Sequence, residues 1–123
     1  MNEKRRFRQR LKDFDLSQPE SKREYNRMLF SPVAQVYSGI TRVLSFGRDA
    51  AWKRKLVSLL PDIPEPRILD LACGPGDLSF LLALRYSSAR IEGVDLNTDM
   101  LDRAASNLAR MPENIQERIN FSP

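Results

Sequence analysis

The chain has 123 residues, 41% hydrophobic and 29% charged, an ordinary globular composition that allows at most one compact domain. Its single cysteine excludes an internal disulfide and suits a reducing, cytoplasmic compartment. No apolar run approaches the roughly 18 residues of a membrane-spanning helix.

The net charge of +4 is concentrated in residues 1–30, which hold nine Lys or Arg and five acids; the remainder balances at eleven of each sign. Residues 1–16 form a basic arm with two apolar residues, Phe7 and Leu11, at helical spacing and no apolar stretch behind them, so they do not form a signal peptide. Such an arm can touch an anionic membrane surface or nucleic acid. It lacks an aromatic stacking platform, so the nucleic-acid signal is weak, and a solvated arm is favoured.

Residues 17–61 are expected to be a helical segment. Ser17-Gln18-Pro19-Glu20 has the form of a capping box that starts a helix through about Phe30. Ser31-Pro32 is expected to start a second helix, with Val33, Val36, Tyr37, Ile40, Val43 and Leu44 on one face. A third is predicted from about Arg48 to Leu60, with Trp52, Leu56, Leu59 and Leu60 as its apolar stripe. Pro61, Pro64 and Pro66 then make an extended link.

Residues 62–123 read as α/β. Ile68, Leu69, Leu71 and Ala72 form a short apolar run that breaks at Gly74-Pro75-Gly76, and a helical pattern begins at Asp77. This is strand, tight turn, helix, with the strand expected to be buried in a parallel sheet. Glycines let the turn approach a ligand closely. A dinucleotide turn would need G-x-G-x-x-G and a free helix N-terminus for the pyrophosphate. Here the third glycine position is Ser79, and the carboxylate of Asp77 is expected to cap the first amides. Asp70 adds a second negative charge, so the turn suits a ligand with cationic groups and no phosphate. The ammonium and sulfonium of S-adenosylmethionine meet that requirement. Cys73, in a chain without histidine, is expected to be a small packing residue rather than a nucleophile.

A second apolar run, Ile91 to Leu96, contains Asp95, 19 residues past Gly76. A carboxylate about 20 residues after such a turn, at the end of the next strand, is placed to accept hydrogen bonds from a ribose diol. Asn97 or Thr98 can cap a helix from about Asp99 to Met111, with Met100, Leu101, Ala104, Ala105 and Leu108 facing inward. A loop or short turn follows over Glu113 to Glu117, and Ile119-Asn120-Phe121 reads as the opening of a third strand.

LDLACGPGDLS, residues 69–79, resembles the first motif of class I S-adenosylmethionine-dependent methyltransferases, with Ala72 in place of that pattern's first glycine. Phe30, Ala34, Tyr37, Leu44-Ser45, Gly47 and Trp52 are similar to the N-terminal signature of the ubiquinone/menaquinone biosynthesis C-methyltransferases. The chain departs from that signature at Ser38 (family Asp), Thr41 (Asn), Lys53 (Arg) and Asp49 (often His). The resemblance implies a Rossmann-like class I fold, of which this chain carries strands 1, 2 and the start of 3 behind N-terminal helices. The implied cofactor is S-adenosyl-L-methionine. Asp70 and the Ala72-Cys73-Gly74 to Gly76 turn would hold its methionine end, and Asp95 its ribose. Leu96 and Met100 would flank the adenine, with Tyr37 closing over from the helical segment. No metal is implied.

The implied acceptor is a small molecule, in the family a quinone precursor, and no catalytic base is identified. The alternative is a non-catalytic binding or interaction module that retains a truncated methyltransferase fold. The family sheet runs 3-2-1-4-5-7-6, so strand 1 is expected to have an unpaired edge here. The chain is therefore expected to be a fragment or to be completed by another chain, and to be poorly stable or self-associating alone.

Overall fold

The computed structural model describes residues 13–123. The basic arm falls almost entirely outside them, and the membrane contact expected of it lies there too.

Three helices come first: α1 (Pro19–Phe30), α2 (Tyr37–Leu44) and α3 (Arg48–Ser58). The capping box does not form. Gln18 is the N-cap, with no side-chain cap, while Ser17 instead donates its N–H (2.9 Å) and its hydroxyl (2.6 Å) to Asp15. Pro19 occupies the first helical position, where its missing N–H costs nothing. Ser31-Pro32 starts only a 3₁₀ turn over Ser31–Val33, and α2 begins at Tyr37. Gly47, at φ +75°, is the αL break that separates α2 from α3.

The expected apolar faces of α2 and α3 are largely open. Trp52 is 61% exposed and Leu44 77%, and Val36, Ile40, Val43, Leu56 and Leu59 are exposed as well. Val57 carries the inward contact of α3 instead, and joins the core. No helix among the described residues is long and apolar enough to cross a membrane.

The remainder alternates strand and helix: β1 (Arg67–Leu71), α4 (Asp77–Arg85), β2 (Arg90–Val94), α5 (Thr98–Leu108), α6 (Glu113–Gln116) and β3 (Ile119–Ser122). The sheet is parallel, in the order β1-β2-β3, with Asp70 opposite Gly93, Leu71 opposite Val94 and Ile91 opposite Ile119. Parallel strands need a crossover, and α4 and α5 supply the two here. Gly93 leaves room for the Phe121 ring on the neighbouring strand; a Cβ at Gly93 would meet that ring at 2.6 Å.

The core lies on the helix-covered face of the sheet, where Phe80, Leu82, Ala83, Ile91, Ile115 and Ile119 pack together. Arg118 locks the far end of α4 to β3, donating to the carbonyls of Ala83, Tyr86 and Ala89. On the opposite face Leu69 (60%) and Leu71 (69%) are exposed, so β1 is not the doubly covered strand its apolar run suggested. Its outer edge has no partner strand among the described residues. Along α5, Met100, Leu101 and Ala104 are buried, whereas Ala105 is exposed and the helix ends at Leu108.

Candidate functional site

Because β1 and β2 run in register, both end at the same edge of the sheet. In open α/β sheets, ligands bind in the crevice beyond the carboxyl ends of the strands. Here that edge carries the turn Ala72–Gly76 and the acid Asp95, tied by Cys73 N–H to Val94 O (3.0 Å).

The turn requires left-handed backbone at three positions: Ala72 (φ 56°), Gly74 (φ 53°) and Gly76 (φ 91°). A non-glycine residue in this region costs about 1–2 kcal/mol. Ala72 therefore sits strained where the resembled pattern has its first glycine. Above Gly74 the space is open, since a Cβ there would meet nothing within 4 Å; at Gly76 it would meet Phe121 at 2.7 Å and Phe80 at 3.0 Å. Gly74 thus borders open space, and Gly76 admits the core rings.

Asp95 braces the turn. Its Oδ2 accepts from Gly74 N–H at 2.8 Å and its Oδ1 from Asn97 N–H at 2.9 Å. Asn97, 2% exposed, in turn caps α5 by accepting from Met100 N–H at 3.1 Å. Each carboxylate oxygen can accept a second hydrogen bond, so Asp95 keeps capacity for a ligand's hydroxyls. Next to it Leu96 is exposed and Met100 is buried. Leu96 therefore offers an open apolar surface, while Met100 packs beneath the site.

Asp70 is 7% exposed and accepts from the buried Ser79 hydroxyl at 2.6 Å. Burial pushes its carboxyl above the usual range, with the charge of Asp95 adding to the effect, while Ser79 and Lys53 pull it back. No Lys or Arg among the described residues pairs with it directly. A buried anion without a cation is poised for a cationic ligand group. The Cys73 thiol is pushed up to about 12, first by burial and then by the charges of Asp70 and Asp95. It stays protonated at neutral pH and packs as a small residue.

Asp77 does not cap α4. Gly76 is the N-cap, with no side-chain cap, and the Asp77 carboxylate reaches the helical segment instead. It accepts from Lys53 Nζ at 3.0 Å and from the Ser38 hydroxyl at 3.2 Å. Lys53 Nζ also lies 3.8 Å from Asp49. Two of the four departures from the signature, Ser38 and Lys53, thus meet at one acid of the turn, and a third, Asp49, stands beside Lys53. No local pattern in the sequence joins them, since Ser38 and Lys53 lie 39 and 24 residues before Asp77. Tyr37 is half-buried beside Ser38, its ring edge-on to Phe30 with centroids 6.3 Å apart. The fourth departure, Thr41, donates its hydroxyl to Tyr37 O at 2.9 Å.

The donor set fits a ligand that carries an ammonium and a diol and lacks phosphate. Asp70 and Asp95 are acceptors, and Asp77 places a further negative charge at the start of α4, where a phosphate would otherwise bind.

A family model, that of the ubiE/COQ5 methyltransferase family, matches residues 18–121. The chain is 36% identical over 95 residues to the demethylmenaquinone methyltransferase of Symbiobacterium thermophilum, covering 76% of this chain and 38% of that one. It is 42% identical over 73 residues to the demethylmenaquinone methyltransferase of Thermus thermophilus, covering 59% of this chain and 33% of that one. It therefore spans about a third of the length of these relatives. Among solved structures it is similar to the methyltransferase domain of bacterial CtHen1-C, with a TM-score of 0.50 and 28% identity over 60% of this chain and 39% of that one.

Proposed function

The chain belongs to the ubiE/COQ5 methyltransferase family, and on that premise we propose that it forms the cofactor-binding part of an S-adenosylmethionine-dependent methyltransferase acting on a quinone precursor. The observation that carries this reading is the shared end of β1 and β2, where Asp95 is bonded to Gly74 and Asp70 is buried against Ser79.

The cofactor supplies a methyl group already activated by its sulfonium. The protein's contribution is then binding, orientation and electrostatic environment. Asp70 would hold the ammonium and the Ala72–Gly76 backbone the methionine chain, with Cys73 packed behind. Asp95 would hold the ribose hydroxyls. Leu96 would form one wall of the adenine site, with Met100 supporting it from below. Tyr37 would close the site from the helical segment, which Ser38 and Lys53 fasten to Asp77.

The acceptor class follows from the relatives, two of which are named for methylating demethylmenaquinone. The direct test is transfer of a labelled methyl group from S-adenosylmethionine to demethylmenaquinone by the purified protein. Labelled product supports the reading; cofactor binding without transfer is what the cofactor-binding part alone would give, and no binding of S-adenosylmethionine would contradict it. The exposed Leu69 and Leu71 and the outer edge of β1, unpaired among the described residues, also support self-association, which sedimentation of the purified protein and of a Leu69→Lys variant would test.

A further inference from the structure

The turn after β1 is ringed by acids. Asp70 lies beneath it, Asp95 is bonded to it, and Asp77 starts the helix beyond it. The ion pairs of the described residues bring one cation to this group, Lys53. Its Nζ is 3.0 Å from Asp77 Oδ2 and 3.8 Å from Asp49 Oδ2. An ammonium has three N–H donors. Asp77 takes one, and Asp49 stands beyond hydrogen-bond distance, so donor capacity remains. The side chain is 29% exposed, so it keeps access to solvent. Its charge is also felt at Asp70, on whose carboxyl it acts downward.

The amino-acid end of S-adenosylmethionine is a zwitterion. Asp70 matches its ammonium, but its carboxylate has to be set down among three acids, Asp70, Asp77 and Asp95. We propose that Lys53 binds that carboxylate, so that Lys53 and Asp70 form a two-point clamp for the methionine zwitterion. Ser38 and Asp77 are then positioning residues. Asp77 holds the Lys53 head group over the turn, and the Ser38 hydroxyl, donating to the same carboxylate, fixes Asp77.

The inference rests on the cofactor reading above, and the test separates the two. Titration calorimetry would compare S-adenosylmethionine with its decarboxylated form, which keeps the sulfonium and the ammonium. The proteins are the unaltered chain, Lys53→Met and Lys53→Arg. Lys53→Met is expected to weaken S-adenosylmethionine about tenfold or more, as for the loss of one charge-assisted hydrogen bond. It should leave the decarboxylated ligand unchanged or bound more tightly, because the acids then face a purely cationic ligand. Lys53→Arg should retain most of the affinity for S-adenosylmethionine. Equal weakening of both ligands by Lys53→Met would mean that Lys53 only seats the helical segment, and would overturn the proposal. Unchanged affinity for S-adenosylmethionine would overturn it too and leave the cofactor reading standing. An unaltered chain that binds neither ligand would overturn both.

Discussion

Asp95, at the end of β2, accepts a 2.8 Å hydrogen bond from the backbone N–H of Gly74, 21 residues earlier in the chain. One carboxylate thus fixes the position of the turn relative to the neighbouring strand. Its other oxygen holds Asn97 N–H at 2.9 Å, which sets the start of α5. The residue assigned to the ribose is therefore also the brace of the crevice.

Asp95→Ala should weaken binding of S-adenosylhomocysteine by about 1.5–3 kcal/mol, the size of hydrogen bonds to a charged group. It should also lower the melting temperature of the ligand-free protein, because Gly74 N–H and Asn97 N–H lose their acceptor. Calorimetry and thermal unfolding read the two effects separately. An Asp95→Ala protein with unaltered affinity would remove Asp95 from the site.

The two turn glycines should separate binding from stability. Both have positive φ, so alanine strains the backbone by about 1–2 kcal/mol at either position. Gly76→Ala adds a clash with Phe121 and Phe80, and should be the more destabilising in chemical denaturation. Gly74→Ala points its methyl into open space beside the turn assigned to the cofactor, and should be the more damaging to cofactor affinity for a given loss of stability. The reverse ranking in both measurements would contradict the assignment of the crevice.

Asp70 predicts opposite pH slopes for stability and binding. Burial raises its carboxyl above the ordinary value in the folded state. The folded chain therefore holds the proton to higher pH than the unfolded chain does. The associated stability is fully present below the unfolded value and is lost as pH rises through the folded one. Binding of an ammonium favours the ionised form, so cofactor affinity should rise with pH through the same window. Asp70→Asn keeps an oxygen for the Ser79 hydroxyl and removes the buried charge. It should be more stable than the unaltered protein at neutral pH, bind the cofactor about tenfold or more weakly, and lose both slopes. Parallel slopes, or an Asn variant that binds normally, would show that Asp70 does not meet the ammonium.

The parts of this site that could be read in the sequence are local. The apolar run into Gly74-Pro75-Gly76 and the spacing to Asp95 place a strand, a turn and an acid, because strand pairing in register needs little beyond those lengths. Asp77 departs from its local pattern for the opposite reason. An acid in a first helical turn ordinarily caps it, but here its partners Lys53 and Ser38 lie 24 and 39 residues earlier in the chain, where no local pattern points. The outer faces of α2, α3 and β1 follow the same logic. Amphipathic spacing marks Leu44, Trp52, Leu69 and Leu71 as apolar positions, whereas burial depends on what packs against them, and among the described residues they stay exposed.

The central claim is that the crevice at the ends of β1 and β2 takes S-adenosylmethionine rather than a dinucleotide. Calorimetric titration of the purified protein with S-adenosylhomocysteine and, in parallel, with NADH tests it most directly. Saturable binding of S-adenosylhomocysteine, reduced in Asp95→Ala, with no binding of NADH, is the predicted result. Tight binding of NADH with none of S-adenosylhomocysteine would contradict it.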